Sequence, residues 1–201
     1  HRPDAQGFHP SDRVLGGAAY IATVIASPGV IKHTSQFATL RFGRPDKKPD
    51  AKLGAFVEAG KASKLDVDLS ADISRELWQK FIFLTAMAGS TASLRSPIGP
   101  IIADPELREF FHQLMEEAFA VGKAKGISLD HAYIDERMNF LVNKIEPGMR
   151  ASMAHDLERG NRLELDWLAG KVRSLGREFG IPTPASDTVY TVLKLHRMGT
   201  H

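Results

Sequence analysis

Lys80 is the residue of this sequence with the clearest potential for proton-transfer chemistry. It lies within Leu77–Leu84, a segment that is apolar nearly all round when placed on a helix of ~100° per residue. A lysine buried among such neighbours has a lowered pKa, which suits it to general acid catalysis. The alternative is an ordinary surface ion pair with Glu76, which stands one helical turn earlier.

Three further side chains could bind a substrate or a cofactor. Ser152 and Asp156 are four residues apart and would share one face of a helix, with Glu164 in the next segment. Each also has a simpler interpretation. Ser152 could be a solvated hydroxyl, and Asp156 could pair with a nearby arginine. Glu164 could reach back to the start of its helix, because Asn161-Arg-Leu-Glu164 resembles a capping box.

Composition excludes several classes of protein. The 26 Lys and Arg against 24 Asp and Glu leave a net charge of +2, with no basic tract that would indicate nucleic-acid binding. The absence of cysteine excludes disulfides and thiolate metal sites and fits a cytoplasmic protein. The eight histidines form no HExxH, so we expect no metal. We find no apolar run of the ~20 residues that a membrane span requires, no signal peptide and no GxGxxG phosphate loop.

The elements that must position these residues change in type near residue 45. The runs Ala19–Ile25, Val30–His33 and Phe37–Phe42 are typical of short strands, and Pro28-Gly29 supplies a turn, which predicts a small antiparallel meander. A loop is expected over residues 1–12 and a linker over Arg44–Pro49. Everything from Asp50 onward is predicted to be helical.

The predicted helices follow from start and stop signals. They are Ala51–Ala62, Ile73–Ala88, a helix starting at Asp104-Pro105 and stopped by Gly126, a helix from Asp130 to Pro147, and shorter helices near 149–159, 163–179 and 184–197. Lys80 falls on the second of these helices. The aromatic side chains of Trp78 and Trp167 are predicted to be in the core.

Seven short motifs, in order along the chain, resemble the ketopantoate reductase (2-dehydropantoate 2-reductase) family. They are Asp12-Arg13-Val14-Leu15-Gly16-Gly17, Pro28-Gly29-Val30-Ile31-Lys32-His33-Thr34, Glu76-Leu77-Trp78-Gln79-Lys80, Arg95-Ser96-Pro97-Ile98-Gly99, Ser152-Met153 with Asp156-Leu157-Glu158, Leu163-Glu164-Leu165, and Gly180-Ile181-Pro182-Thr183-Pro184. No single motif is decisive, whereas the ordered set is specific.

The resemblance implies a mainly α fold in two parts. Residues 1–45 would be the C-terminal remnant of an NADP-binding Rossmann domain, and residues 46–201 an all-helical substrate-binding and dimerisation domain similar to that of 6-phosphogluconate dehydrogenase. The glycine-rich half of the Rossmann domain would precede this sequence, so we expect the chain alone to be inactive. It also implies a cytoplasmic homodimer that binds a small 2-oxo acid, with no nucleic-acid or membrane partner.

The resemblance also implies the chemistry, which is NADPH-dependent reduction of 2-dehydropantoate to pantoate in pantothenate biosynthesis. Lys80 matches the catalytic lysine that gives a proton to the ketone oxygen. Ser152 matches the serine that binds the substrate carboxylate. Glu164 matches the glutamate beside the cofactor ribose.

Three positions depart from the family pattern. Leu84, Ala88 and Ile98 stand where better-known members often have asparagine. We expect a more apolar pocket as a result, so another, more apolar ketone is an alternative substrate. A second alternative is a non-catalytic helical dimerisation module. An upstream coding frame that contains GxGxxG would decide against that module.

Overall fold

The computed structural model describes residues 14–200, with the side chains of Gln36 and Phe37 excepted. The predicted loop over residues 1–12 and the Asp12-Arg13 part of the first motif lie outside the described residues. The chain divides into two compact units, one that ends at Leu77 and one that begins at Trp78.

The first unit is built on a three-stranded sheet. Strands β1 (Gly16–Ser27) and β2 (Val30–Gly43) form an antiparallel hairpin that turns at Gly29, whose φ is 79°. Helix α1 (Ala51–Ala62) then leads to β3 (Asp66–Leu69), which pairs with β2 in parallel. A parallel pair requires such a crossover connection, and here a helix supplies it.

Strand β2 differs from the sequence-based expectation of two separate strands. The polar residues between the predicted runs continue the strand, because their side chains satisfy the backbone where β1 bulges. The Thr34 hydroxyl donates to the Ala22 carbonyl over 3.1 Å, and the Ala22 N–H donates to the Ser35 hydroxyl over 3.0 Å. Strand β3, which has four residues and carries two aspartates, was not predicted.

The second unit is helical. After α2 (Ile73–Ser93), whose first residues belong to the first unit, come α3 (Ile98–Ala103), α4 (Pro105–Ala124), α5 (Ala132–Asn143), α6 (Ser152–Glu158), α7 (Ala169–Phe179), α8 (Pro184–Leu193) and a 3-10 turn, Lys194–His196. Helix α3 was not predicted. Helix α7 begins six residues later than expected, because residues 163–168 form a turn.

The predicted start of α4 is confirmed in detail. The Asp104 carboxylate accepts hydrogen bonds from the backbone N–H groups of Glu106 and Leu107, and Pro105 occupies the first helical position. The helix then contributes an apolar face to the core, through side chains that include Phe111, Leu114, Met115, Ala118 and Val121. On α5, Leu141 is buried in the core, whereas Val142 beside it is exposed.

The fold class is confirmed, with a helical C-terminal part preceded by a small β sheet. Because α1 and β3 belong to the first unit, the boundary between the units lies later in the chain than residue 45. The assignment of residues 1–45 and 46–201 to separate domains stays a prediction. No helix within residues 14–200 combines the length and the apolar character needed to cross a lipid bilayer.

Candidate functional site

Lys80 lies in the middle of the long helix α2 and is half-buried. Burial lowers the pKa of Lys80 below the ordinary value of a lysine, because a desolvated ammonium is less stable than a hydrated one. The side chain therefore has the property that the sequence predicts for it. It lies close enough to solvent to meet a ligand and is desolvated enough to release its proton more readily.

The helical turn that carries Lys80 is held by its two preceding residues. The indole N–H of Trp78 donates to the Ala118 carbonyl on α4 over 3.0 Å, and Trp78 packs against the core as predicted. The Tyr133 hydroxyl on α5 donates to the Gln79 carbonyl over 2.7 Å. Lys80 consequently projects from a backbone that is tied to two other helices of the second unit.

The alternative partner of Lys80, Glu76, is engaged elsewhere. Its carboxylate accepts a hydrogen bond from the Ser70 hydroxyl over 2.6 Å and lies 3.6 Å from the Arg41 guanidinium. Both partners belong to the first unit, as Glu76 does. Glu76 thus has a donor and a cation within the first unit, and the interpretation of Lys80 as one half of a surface pair stays an alternative.

Ser152 is the first residue of α6 and is exposed, while Met153, Ala154 and Leu157 turn inward. The backbone N–H of Ala151, just before it, donates to the Thr91 hydroxyl on α2 over 3.3 Å. Thr91 is eleven residues after Lys80 and lies within about 20° of it around the helix at ~100° per residue. The residue before Ser152 is thus bonded to the face of α2 that also carries Lys80.

The loop before Ser152 is fixed by the turn that follows α2. Arg95 has a φ of 49°, which ends the preceding helix, and α3 begins at Ile98. The N–H groups of Ile98 and Gly99 donate to the carbonyls of Met149 and Pro147, each over 2.9 Å. This motif therefore positions the loop that leads to Ser152.

Glu164 is exposed in the turn between α6 and α7, flanked by the buried Leu163 and Leu165. Its carbonyl accepts from the N–H groups of Trp167 and Leu168 over 3.0 and 3.1 Å. The capping-box interpretation is wrong, because α7 begins only at Ala169, with Leu168 as its capping residue. The contacts that hold this turn run to the C-terminal segment of the chain.

One other expectation needs correction. Trp167 was expected in the core and is 54% exposed, because the turn directs it outward beside Glu164. Of the three positions that depart from the family pattern, Ala88 and Ile98 are buried in the core. Leu84, one turn after Lys80, is 42% exposed and can contact a ligand.

Sequence reasoning missed the residues that position the site, namely Thr91, Tyr133 and Asp166. Their bonds join segments that are distant in the chain, so periodicity carries no signal for them. Among residues 14–200, no three His, Cys, Asp or Glu side chains are grouped so as to hold a metal ion.

The helical part of the chain matches a known protein family. The family model described as "Ketopantoate reductase PanE/ApbA C terminal" matches residues 72–197, which include Lys80, Ser152 and Glu164. The chain belongs to the ketopantoate reductase family. The resemblance seen in the ordered motifs is thereby confirmed.

Curated relatives are 23% to 29% identical to the chain over the aligned residues. An "uncharacterized oxidoreductase YkpB" of Bacillus subtilis is 29% identical over 92% of this chain and 61% of its own length. A 2-dehydropantoate 2-reductase of Mesorhizobium japonicum is 29% identical over 90% of this chain and 55% of its own length. The chain thus spans 55% to 61% of the length of these two relatives.

Solved structures agree on the fold. A PanE/ApbA family ketopantoate reductase from Ralstonia eutropha is 27% identical, and the match covers 92% of this chain and 59% of that protein's chain with a TM-score of 0.80. A dimeric ketopantoate reductase from Staphylococcus aureus, 24% identical over 95% of this chain and 64% of its own, has a TM-score of 0.79. A D-mandelate dehydrogenase solved with NADH, 18% identical over 98% and 66%, has a TM-score of 0.85.

Proposed function

We propose that the protein carrying this chain reduces a 2-oxo acid with NADPH, and that 2-dehydropantoate, reduced to pantoate, is the first substrate to test. The observation that carries the proposal is the state of Lys80, which is half-buried on a helix anchored at its two preceding residues and has a lowered pKa. Membership of the ketopantoate reductase family supports the reaction class.

The proposed roles follow from what each side chain can do. When bound, the cofactor would supply a hydride to the carbonyl carbon of the substrate. The Lys80 ammonium then gives its proton to the carbonyl oxygen and stabilises the negative charge that develops there. The exposed hydroxyl of Ser152 donates a hydrogen bond to the substrate carboxylate.

Glu164 is the residue of this chain that we assign to the cofactor. An exposed carboxylate suits this role, because it accepts hydrogen bonds from ribose hydroxyls without a penalty for burying charge. A homodimer is part of the proposal and is supported by the dimeric enzyme from Staphylococcus aureus. NADPH rather than NADH, and a cytoplasmic location, stay predictions.

Leu84 favours a second candidate, a reductase of the same family that acts on a more apolar 2-oxo acid. Its exposed isobutyl group lies within about 40° of Lys80 around the helix and one turn away. A leucine side chain cannot form a hydrogen bond with a substrate hydroxyl. An enzyme that leaves the hydroxyl without a partner loses much of its preference for the substrate that carries it. This side chain would instead favour a substrate with an apolar group beyond the ketone.

One matched pair of substrates separates the two candidates. The longest natural protein that contains this chain is assayed with 2-dehydropantoate and with 3,3-dimethyl-2-oxobutanoate, which lacks only the hydroxyl. A higher kcat/KM for 2-dehydropantoate supports the first candidate, and an equal or higher value for the analogue supports the second. Failure to reduce either of these compounds or any other 2-oxo acid would overturn the proposed function.

A substitution then tests whether Leu84 sets the preference. Leu84→Asn should shift the ratio of kcat/KM toward 2-dehydropantoate by about tenfold, the effect of roughly one hydrogen bond. Leu195→Asn is the matched control, because Leu195 is also exposed and lies in the C-terminal 3-10 turn. An equal shift in both variants would show that Leu84 plays no part in selection.

A further inference from the structure

The turn that carries Glu164 is held from both sides. Within the turn, the buried Leu163 and Leu165 fix its apolar flank, and the Glu164 carbonyl accepts two backbone hydrogen bonds. This arrangement directs Glu164 and Trp167 outward. A second set of contacts, from the C-terminal part of the chain, meets the same turn at Asp166.

Asp166 is the centre of that second set. The Tyr190 hydroxyl on α8 donates to its carboxylate over 2.8 Å, and the Arg197 guanidinium lies 3.7 Å from the same oxygen. Arg197 also binds the turn through its backbone, because its carbonyl accepts from the N–H of Leu163 over 3.0 Å. Tyr190 and Arg197 thus both contact the turn at Asp166, and Arg197 also contacts it at Leu163.

The Tyr190 ring is itself fixed in place. The Arg173 guanidinium stacks over it at 4.2 Å from the ring centre. On α7, Gly170 leaves room for the ring, since a Cβ at that position would lie 2.9 Å from a ring carbon. The hydroxyl of Tyr190 therefore reaches Asp166 from a ring that has little freedom to move.

Gly199 and Thr200, near the C-terminal end of the described residues, also contact the segment that precedes Glu164. The N–H of Thr200 donates to the carbonyl of Gly160 over 2.9 Å. Gly199, with a φ of 81°, lies so close that a Cβ there would be 3.0 Å from the carbonyl carbon of Asn161. The segment that leads into Glu164 and the C-terminal segment are thus in backbone contact.

We propose that Asp166, Tyr190 and Arg197 are positioning residues that hold the Glu164 turn in its ligand-binding conformation. The inference rests on the proposed function, in which Glu164 meets the cofactor. A carboxylate on a turn loses affinity when the turn samples several conformations, and a bound ligand must then supply the ordering free energy. Tyr190 and Arg197 hold the turn in one conformation before the ligand binds.

The first test needs no activity. Amide hydrogen exchange is measured for Trp167 and Leu168, whose N–H groups bind the Glu164 carbonyl. Tyr190→Phe keeps the stacked ring and removes only the hydroxyl, and should raise both exchange rates by roughly 2- to 10-fold, the effect of one hydrogen bond. Thr188→Val is the control, because it removes a hydroxyl that bonds within the same helix. Unchanged exchange at both amides in Tyr190→Phe would overturn the inference.

The second test measures the KM for NADPH and kcat. Tyr190→Phe should raise the KM for NADPH by roughly 2- to 10-fold and leave kcat nearly unchanged. The same substitution made in Glu164→Gln should add little, because the group being positioned has already been altered. A full, additive effect in the double variant would show that Tyr190 acts only through general stability, and would overturn the inference. Asp166→Asn serves in place of Tyr190→Phe if the latter lowers the melting temperature.

The two tests separate this inference from the function on which it rests. Faster exchange in Tyr190→Phe, together with a Glu164→Gln variant that keeps wild-type NADPH affinity, supports the positioning contact and refutes the role of Glu164. Unchanged exchange refutes the positioning contact whatever the enzyme reduces.

Discussion

Lys80 combines an apolar setting with a charge, and the proposed chemistry depends on that combination. Lys80→Ala should lower the rate of ketone reduction by roughly 10²- to 10⁴-fold, the usual contribution of general acid catalysis. NADPH affinity should change little, because the ammonium is needed most where negative charge develops on the substrate oxygen. Steady-state kinetics and a binding titration on the same preparation measure both effects. Near-wild-type turnover with an active substrate would refute the assignment.

The lowered pKa of Lys80 makes a separate prediction about pH. Only the protonated lysine can act as the acid, so the rate should fall as pH rises through its pKa, and this fall should begin below the usual lysine value of 10.5. The unfolded state binds this proton more tightly than the folded state does. Stability therefore rises as pH rises from the folded pKa toward the unfolded one.

Lys80→Met tests the same linkage in a melt. The variant should lose activity yet melt no lower than wild type at neutral pH, because it removes a partly desolvated charge, and the alkaline rise in stability should disappear. A surface pair with Glu76 predicts the reverse, a stability loss of ~0.2–0.5 kcal/mol with unchanged turnover.

At the scale of elements, Gly99 permits the contact between α3 and the loop before Ser152. A Cβ on Gly99 would lie 2.7 Å from the Pro147 Cβ and 2.9 Å from its carbonyl oxygen. Gly99→Ala should therefore lower the free energy of unfolding by ~1–3 kcal/mol, as overpacking does, and weaken substrate binding. Urea unfolding measures the loss. Gly54→Ala is the control, because the space around Gly54 in α1 is open, and it should stabilise by ~0.5–1 kcal/mol. Equal effects of the two variants would contradict this reasoning.

The start of α2 contains an acid-sensitive ion pair. Burial alone would raise the pKa of Asp72, but hydrogen bonds from the Lys47 ammonium at 2.6 Å and from the Arg75 N–H outweigh it and hold that pKa below its ordinary value. The folded state therefore binds the proton less tightly than the unfolded state, and the stabilisation is present above the unfolded pKa and lost as pH falls.

Asp72→Asn shows the size of this effect. The variant should be less stable than wild type at pH 7, and the difference should shrink steadily as pH falls from about 5 toward the lowered folded pKa. Denaturant unfolding at a series of pH values measures it. A difference that stays constant with pH would show that Asp72 acts only as a neutral hydrogen-bond acceptor.

At the scale of the whole molecule, the β1–β2 hairpin exposes large apolar side chains. Ile25 and Ile31, which pair across the strands, are 77% and 65% exposed. We predict that the protein is a homodimer through its helical part, and that the isolated 201-residue chain also associates through the hairpin. Ile25→Lys with Ile31→Lys should reduce the second kind of association and leave the dimer. Light scattering over a range of concentrations measures both, and a monomer at high micromolar concentration would contradict the prediction.

The same isolated chain should bind NADPH weakly and show no reductase activity. It has no glycine-rich loop in its sequence to bring a backbone close to the pyrophosphate. Calorimetry on the 201-residue chain is the test. Micromolar affinity would show that the main cofactor contacts lie within these residues.

Local signals decided most of the helices from the sequence alone. Asp104 with Pro105 and the left-handed glycines at 126 and 180 mark helix ends by chemistry that acts within a few residues. The ordered motifs also identified the family, and the roles that it implies for Lys80, Ser152 and Glu164 stay predictions. These features need no knowledge of distant contacts, which is why the sequence suffices for them.

Tertiary structure decided how those residues are held and which neighbours can meet a ligand. Strand β3 exists because β2 offers it a parallel edge, and its four residues carry too little pattern to show this. Ala88 and Leu84 look equivalent in the sequence, yet packing buries the first and exposes the second. The bonds from Tyr133 to Gln79 and from Tyr190 to Asp166 join residues 54 and 24 positions apart. Such contacts depend on how the helices pack, and helix packing is a property of the whole fold rather than of any local run of residues.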